Sequence, residues 1–318
     1  MQEFDKGNLT LETKLKAMLP VFKGSNKEDA TVLDMLTHQA RFQPWIPFYK
    51  ATLDSLNKPS EKYYRTRPTV EFQLKVAEDL YLRRDYNDTI LKVIANSELL
   101  PKKQYKYSDF SFILFKEYLE RENGKSLEYL AENNFYKHLG ATSLTYNPLH
   151  KFDKSVVIPT ENDNYFRYQK VHGYVHDMAA AMQGGISGHA GLFSNALDIA
   201  KVMQMYLQKG SYGGKQFITE ETLQKFNTCY FCKDGNRRGV GFDKPQLGNE
   251  GPTCGCVSLT SFGHTGFTGT MTWADPEKEI VYVFLSNRTF PDSNASNKLS
   301  KENIRENIQK VIYESIIE

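Results

Sequence analysis

The sequence predicts an α+β fold in which an antiparallel β-sheet is flanked by helices and joined to a mainly helical part. Helical periodicity dominates from Leu9 to about Leu207, whereas the last third of the chain reads as strands followed by a helix. With 318 residues, the chain is long enough to bury a large core. We therefore predict a single domain, mainly helical over about residues 13–208 and built from sheet and helix over about residues 209–318.

Most of the predicted helices start at a Ser or Thr, whose side chain can accept hydrogen bonds from the first unpaired backbone N–H groups. Three of them stop at a glycine, which readily adopts the left-handed conformation that ends helices. Residues 63–80 are predicted to be helical because they contain few helix breakers apart from Pro68. The predicted helices cover residues 31–38, 63–80, 108–124, 126–140, 194–210 and 300–316, with Thr31, Ser108, Ser126, Ser194 and Ser300 as caps.

The sheet is predicted from a hairpin late in the chain. Residues 270–273 read as a strand, and residues 275–277, Asp-Pro-Glu, as a turn. Residues 280–285 are apolar on both faces, as expected of a central strand that is covered on both sides. The short connection predicts an antiparallel pair. The final helix carries one apolar stripe, formed by Ile304, Ile308, Val311, Ile312 and Ile316.

Composition and charge exclude two classes of partner. The 40 basic and 38 acidic residues are interleaved, and without a basic stripe we expect no nucleic acid partner. Apolar runs stay well short of the roughly 20 residues that cross a bilayer, so no transmembrane segment is expected. Residues 1–7 do not have the pattern of a signal peptide either.

All four cysteines lie in one short, Gly-rich region. They form a C-x-x-C pair, Cys229 and Cys232, and a C-x-C pair, Cys254 and Cys256. A four-thiolate zinc site is one interpretation, although C-x-C is not the usual spacing for structural zinc. Disulfides would suit an exported protein, and free thiols a cytosolic one.

Two short motifs suggest chemistry. Tyr107, Ser108 and Asp109 stand just before an apolar helix, where side chains project from a tight cap. Residues 262–269, Phe-Gly-His-Thr-Gly-Phe-Thr-Gly, precede the hairpin, and their small residues would let a ligand approach a strand closely. Each motif alone is as easily a helix cap or a turn.

Longer segments resemble one known family. Residues 34–38, Asp-Met-Leu-Thr-His, look like that family's Leu-Leu-Thr-His helix, and residues 191–200, Gly-Leu-Phe-Ser-Asn-Ala-Leu-Asp-Ile-Ala, look like its GLFSTAxDLA segment. Residues 262–275 and 285–288 resemble its third-motif strand and a following Leu-Ser-Asn-Arg run. The sequence is similar over nearly its whole length to the serine β-lactamase/penicillin-binding-protein superfamily, closest to the class C-like branch of β-lactamases, D,D-peptidases and esterases. The resemblance implies the β-lactamase/transpeptidase-like fold.

The resemblance also implies roles for the motif residues. Tyr107 would be the second-motif hydroxyl that moves a proton between nucleophile and leaving group. Asp109 would stand where the family usually has Asn, and as a carboxylate it could not donate to a substrate amide. His264 would replace the usual third-motif Lys as a weaker positive charge. Thr265 and Gly266 would line the strand edge and bind substrate, with the Phe267 N–H as an oxyanion donor.

Three further polar residues resemble segments of one subgroup of the family. They are His176, Asp177 and His189. For these we expect structural hydrogen bonding rather than catalysis.

The family's nucleophile motif, Ser-x-x-Lys, has no matching segment in the expected place. Residues 1–11 look like the end of the nucleophile helix and its turn, so we expect the serine roughly ten residues before Met1 and the preceding strands to be absent as well. Ser55 to Lys58 has the Ser-x-x-Lys spacing, but Pro59 would break the helix there, and we interpret the match as chance. The absent segment would leave an apolar surface exposed, which favours association or instability.

The leading hypothesis is a serine hydrolase module of this superfamily that transfers acyl groups from an ester, amide or β-lactam and is inactive as this chain. Its partners would be a small-molecule or peptidoglycan-like substrate and the N-terminal segment of the same parent protein; no cofactor is implied. The resemblance favours a periplasmic or otherwise extracytoplasmic place. Alternatives are a non-catalytic cell-wall or ligand-binding module, possibly the C-terminal part of a fusion with a family 3 glycoside hydrolase (β-N-acetylhexosaminidase), and a zinc-stabilised binding domain.

Overall fold

The computed structural model describes residues 1–246, 251–294 and 298–316. The fold mixes short and long helices with small antiparallel sheets, as predicted. The α-helices are α1 (Gln2–Asp5), α2 (Leu15–Met18), α3 (Val32–Leu36), α4 (Tyr86–Asn96), α5 (Phe110–Asn123), α6 (Leu127–Ala131), α7 (Lys137–Leu139), α8 (Met178–Met182), α9 (Ala196–Leu207), α10 (Glu220–Asn227), α11 (Lys298–Lys301) and α12 (Ile304–Glu314). The strands are β1 (Tyr64–Arg65), β2 (Phe72–Ala77), β3 (Leu80–Arg83), β4 (Pro159–Asp163), β5 (Gln169–His172), β6 (Ser211–Tyr212), β7 (Lys215–Gln216), β8 (Phe262–Thr265), β9 (Met271–Asp275) and β10 (Ile280–Phe284).

Local signals located several helix ends correctly. The Thr31 hydroxyl accepts the backbone N–H of Asp34 at the start of α3. The Ser126 hydroxyl caps α6 in the same way, and the helical stretch that follows ends at Gly140, whose φ is +62°. Both predicted caps are confirmed. A cap forms its hydrogen bond within one turn of its own helix, so the local sequence is enough to indicate it.

Two predicted caps are displaced. Helix α9 is capped by the side chain of Asn195, and the Ser194 hydroxyl instead contacts the hydroxyl of Ser143 and the carbonyl of Asn195. Near the C-terminus, Ser300 lies inside α11, and the longer helix α12 begins after Asn303.

The predicted helix over residues 63–80 is wrong. These residues belong to the three-stranded antiparallel sheet β1-β3-β2. In β2, Phe72 and Val76 are buried, whereas the intervening Gln73 is exposed, which is a strand pattern. Pairing with β3 overrides the absence of helix breakers. A second pair of strands, β4 and β5, also lies within the part predicted to be mainly helical.

The sheet that carries the third motif has the order β10-β9-β8, and all its pairs are antiparallel. The predicted hairpin is confirmed, since β9 and β10 pair from Asp275 and Ile280 to Met271 and Phe284. The central position predicted for residues 280–285 is wrong: within the described residues β9 is central and β10 is an edge strand.

Helices cover both faces of this sheet. Helix α9 packs on one face, where Met203 contacts Phe262 and Ala274. On the other face α12 is attached through polar groups, since the Tyr313 hydroxyl donates to Asp275 (2.8 Å) and the Tyr282 hydroxyl donates to the α12 backbone. A larger core lies beneath α3, α4, α5 and α8.

The apolar stripe of α12 faces outward. The exposed fractions are 41% for Ile308, 65% for Val311, 38% for Ile312 and 39% for Ile316 just after the helix, whereas Ile304 is partly buried. The face toward the sheet instead contains Gln309, which is fully buried and accepts the backbone N–H of Cys254 (3.0 Å). Polar contacts therefore decided the orientation of this helix, and its apolar side is uncovered within the described residues. None of the described helices is long and apolar enough to cross a membrane.

Candidate functional site

The second motif lies at the start of α5 and is held by the segment after α3. The backbone N–H of Ser108 donates to Nδ1 of His38 (3.2 Å), and the Ser108 hydroxyl donates to the carbonyl of Gln43 (2.7 Å). Asp109 is the residue before the first turn of α5, rather than Ser108 as predicted, although the Ser108 hydroxyl still accepts the N–H of Phe110. These bonds fix the position from which the Tyr107 side chain projects.

His38 supports Tyr107 directly. The two rings lie 4.5 Å apart between centroids, and only 2% of His38 is exposed. Burial, together with the charge of Arg238, lowers the pKa of His38 to about 2, so its imidazole is neutral. In the sequence His38 is only part of a helix pattern. Its hydrogen bond to Ser108 joins residues 70 positions apart, and no local signal indicates this contact or the support of Tyr107.

The third motif occupies β8 and the turn that follows. His264 pairs with Thr272 of β9, and its ring lies 6.1 Å from that of Tyr107 between centroids. Gly263 is required there because a Cβ would lie 2.1 Å from the carbonyl oxygen of Thr272. The structure therefore brings the two predicted motifs together in one site.

His264 is surrounded by charged groups that sequence analysis missed. Nη1 of Arg238 lies 3.1 Å from Nε2 of His264 and 2.7 Å from a carboxylate oxygen of Asp243. Burial and the Arg238 charge together lower the pKa of His264. This lowered pKa works against the weak positive charge expected of His264, and the guanidinium of Arg238 places a cation beside the ring. A paired arginine before a Gly-rich turn is a weak sequence signal and did not indicate this contact.

Asp109 lies beside a hydrogen-bonded pair formed by Asp177 and His189. Nε2 of His189 is 2.8 Å from Asp177, whose carboxylate also caps α8 by accepting the N–H of Ala180. Burial opposes the charge on His189, but Asp177 raises its pKa overall. Burial raises the pKa of Asp109 to about 6, against the attraction of His189. The structural bonding expected of Asp177 and His189 is what these contacts provide.

The three side chains have the composition of a possible cation site. Their ligand atoms all lie within 4.8 Å of one another. Existing hydrogen bonds already use one oxygen of Asp177 and both ring nitrogens of His189. Nε2 of His189 is bonded to Asp177, and Nδ1 is bonded to the hydroxyl of Ser187 (2.9 Å). Asp177 and His189 are thus already hydrogen-bonded to each other and to their surroundings, and Asp109 lies beside them.

The predicted substrate-binding residues lie on the turn after β8. Thr265 and Gly266 are partly buried, and Phe267 is 65% exposed. The Phe267 ring lies 5.1 Å from that of His176 and 4.6 Å from the guanidinium of Arg288. Residues from three segments thus form one rim of the site.

The accidental Ser-x-x-Lys match lies elsewhere in an exposed turn. The Asp54 carboxylate accepts the backbone N–H groups of Leu56 and Lys58. The Lys58 ammonium sits over the ring of Tyr168, 3.0 Å from its centroid. Ser55 is therefore not on a helix, and its lysine is engaged away from it.

The zinc interpretation of the cysteines is wrong. Cys229 is bonded to Cys232, and Cys254 to Cys256. No free thiol remains among the four cysteines. A four-thiolate site therefore cannot form in this state.

Comparison with known proteins identifies the family. The β-lactamase family model matches residues 1–303. The chain belongs to the β-lactamase family. A relative from Escherichia coli (strain K12), provisionally named D-alanyl-D-alanine carboxypeptidase, is 36% identical over 204 residues, which are 60% of this chain and 46% of that protein. One from Salmonella gallinarum with the same name is 28% identical over 94% of this chain and 67% of its own length.

Among solved structures, the octameric penicillin-binding protein homologue from Pyrococcus abyssi superposes with a TM-score of 0.61 at 20% identity, over 92% of this chain and 60% of that one. At this identity the likeness shows the shared fold alone. The matched region spans about half the length of the two Escherichia coli relatives.

Proposed function

We propose that this chain is the substrate-site module of a β-lactamase-fold serine hydrolase that transfers acyl groups from an ester or amide of a small molecule or cell-wall peptide. The observation that carries the proposal is the meeting of the Tyr107 and His264 motifs, which lie far apart in the chain and face each other across 6.1 Å. The names of the relatives point to a peptide that ends in D-alanine as the substrate class.

Two groups in the site are suited to moving protons. Burial and the nearby Asp109 charge raise the pKa of Tyr107, so its hydroxyl stays protonated near neutral pH and can donate to a leaving group. Asp109, with its pKa raised to about 6, is ionised for the most part at neutral pH and accepts hydrogen bonds. Neither group is a nucleophile that forms an acyl-enzyme in this arrangement.

We propose that the nucleophile comes from a Ser-x-x-Lys segment of the parent protein outside these residues. Two surfaces that nothing covers within the described residues support this: the outward stripe of α12, which includes Ile308 and Val311, and the edge of β10, beside which Leu285 is 40% exposed. An apolar helix face and an edge strand are each surfaces that another chain segment can cover. The greater length of the relatives is consistent with such a segment.

The test compares this chain with a version extended upstream to include the Ser-x-x-Lys. Both are incubated with a fluorescent penicillin and a fluorophosphonate, and intact masses are measured. We expect no covalent adduct on this chain and a stoichiometric one on the extended protein. Ser55→Ala is the matched control and should change neither result. A covalent adduct on the unextended chain would refute the assignment of the nucleophile to the upstream segment.

A non-catalytic binding module is the second candidate, and the replacement of the family's Asn by Asp109 favours it. It predicts that the extended protein remains unlabelled, yet still binds cell-wall peptides. Equilibrium binding of a D-alanyl-D-alanine peptide, measured by calorimetry on that protein, distinguishes the two functions.

We further propose an extracytoplasmic location. The two disulfides support it, because such bonds persist in oxidising compartments. Alkylating the protein in intact cells before lysis, and then measuring its mass, tests this. Blocked thiols at all four cysteines would contradict the proposal.

A further inference from the structure

The contact between Arg238 and His264 determines where the imidazole carries its proton. A guanidinium only donates hydrogen bonds, so Nε2 of His264, 3.1 Å from Nη1 of Arg238, must be the acceptor. The other nitrogen, Nδ1, lies 2.7 Å from the carbonyl oxygen of Thr265, which only accepts. Together the two neighbours require a neutral ring with its hydrogen on Nδ1.

Arg238 is held firmly enough to impose this choice. Its side chain is 1% exposed and forms an ion pair with Asp243 at 2.7 Å. Asp243 is joined to β8 by two backbone hydrogen bonds with Gly263, of 2.8 and 3.0 Å. The loop from Arg238 to Asp243 is therefore joined to the same strand that carries His264, and the ion pair with Asp243 holds the guanidinium beside the imidazole.

We propose that Arg238 is a positioning residue that fixes His264 as the neutral Nδ1–H tautomer, with Nε2 occupied by the guanidinium. The third motif then contributes neither an imidazolium charge nor a general base to the site. The inference rests on the proposed function for its catalytic meaning, and proton transfer falls to Tyr107 and Asp109. It replaces the role that the resemblance implied for His264.

The charges around His264 agree with this role. Burial and the guanidinium of Arg238 both lower its pKa, and Asp243 acts in the opposite direction with a smaller effect. Because Arg238 and Arg237 share the single carboxylate of Asp243, the loop keeps an excess of positive charge beside the ring. The titratable and charged groups facing the imidazole are Arg237, Arg238 and Asp243 from this loop, Tyr107 from the second motif and His38 from the segment after α3.

Nitrogen NMR of the whole chain, labelled with ¹⁵N-histidine, tests the proposal. His264→Gln assigns the resonances, and long-range proton–nitrogen correlations identify which nitrogen carries hydrogen. We expect His264 to remain the neutral Nδ1–H form from about pH 5.5 to about pH 8, where an unperturbed imidazole would titrate. A ring with hydrogen on Nε2, or protonation near the ordinary pKa of 6.5, would overturn the proposal.

Arg238→Met removes the guanidinium and should move the pKa of His264 upward relative to wild type. Arg237→Met is the matched control, because the neighbouring arginine shares Asp243 at 3.7 Å but is not bonded to the imidazole; the tautomer should be retained. If Arg238→Met does not fold, the wild-type titration still decides. The spectrum needs no nucleophile, so this result is independent of whether the extended protein hydrolyses anything.

Discussion

Replacing Asp109 by asparagine should stabilise the protein above neutral pH and change little in acid. Burial raises the pKa of this carboxyl from 3.8 to about 6. Each pKa unit corresponds to about 1.4 kcal/mol of preference for the protonated form, so the ionised carboxylate costs about 3 kcal/mol in the folded state. Asparagine resembles the protonated acid in shape and avoids this cost.

The pH dependence follows from the direction of the shift. Because the folded pKa of Asp109 is above the unfolded value, both states are protonated below about pH 4 and the carboxyl has no net effect there. Between about pH 4 and about pH 6 the unfolded state ionises first, and the wild-type protein loses stability. Above about pH 6 the loss is complete. The difference between Asp109→Asn and wild type should grow over this range.

Urea denaturation at about pH 4 and about pH 8 measures the difference, with unfolding free energies obtained by linear extrapolation. Asp88→Asn, at an exposed position in the first turn of α4, is the matched control and should have nearly the same small effect at both pH values. An equal effect of Asp109→Asn at both pH values, or destabilisation at about pH 8, would show that burial does not govern this carboxyl.

Two further substitutions test the framework of the site. Arg167→Ala should destabilise the fold by about 3–5 kcal/mol in urea denaturation, because it leaves the buried carboxylates of Glu161 and Asp163, both 2.7 Å from the guanidinium, without their cation; a loss below about 1 kcal/mol would contradict this. Gly188→Ala should lower the thermal midpoint, at a cost of about 1–3 kcal/mol, because its Cβ would lie 2.3 Å from the backbone oxygen of Phe112 in α5. An unchanged midpoint would mean that α5 can shift without cost.

Sequence reasoning succeeded where the stabilising interaction is local. The caps at Thr31 and Ser126 and the β9–β10 hairpin each depend on residues a few positions apart. It failed for β2, because pairing with another strand decides between helix and strand in a stretch that has few breakers. The outward orientation of the apolar stripe of α12 was not predicted for a similar reason. Gln309 faces the sheet and bonds to the backbone of Cys254, which is distant in the chain.

The site shows the same division. The two motifs containing Tyr107 and His264 could be located because they are short, contiguous and in the order of a known family. The residues that support these motifs, His38 and Arg238, could not be located from the sequence. They contact the motifs across long stretches of chain, and such contacts leave no local pattern. A sequence pattern can indicate a site when the residues that form it lie on one strand or one turn.

The sequence by itself determined the family, the α+β class and the position of the two motifs in the chain, because these depend on residue order and local hydrogen bonding. Only the tertiary structure decided the charge state of the site. Whether His264 is a cation depends on Arg238 at 3.1 Å, and whether Asp109 is ionised depends on its burial beside His189. A pKa responds to distance and to the exclusion of water, and both are properties of the packed molecule rather than of the order of its residues.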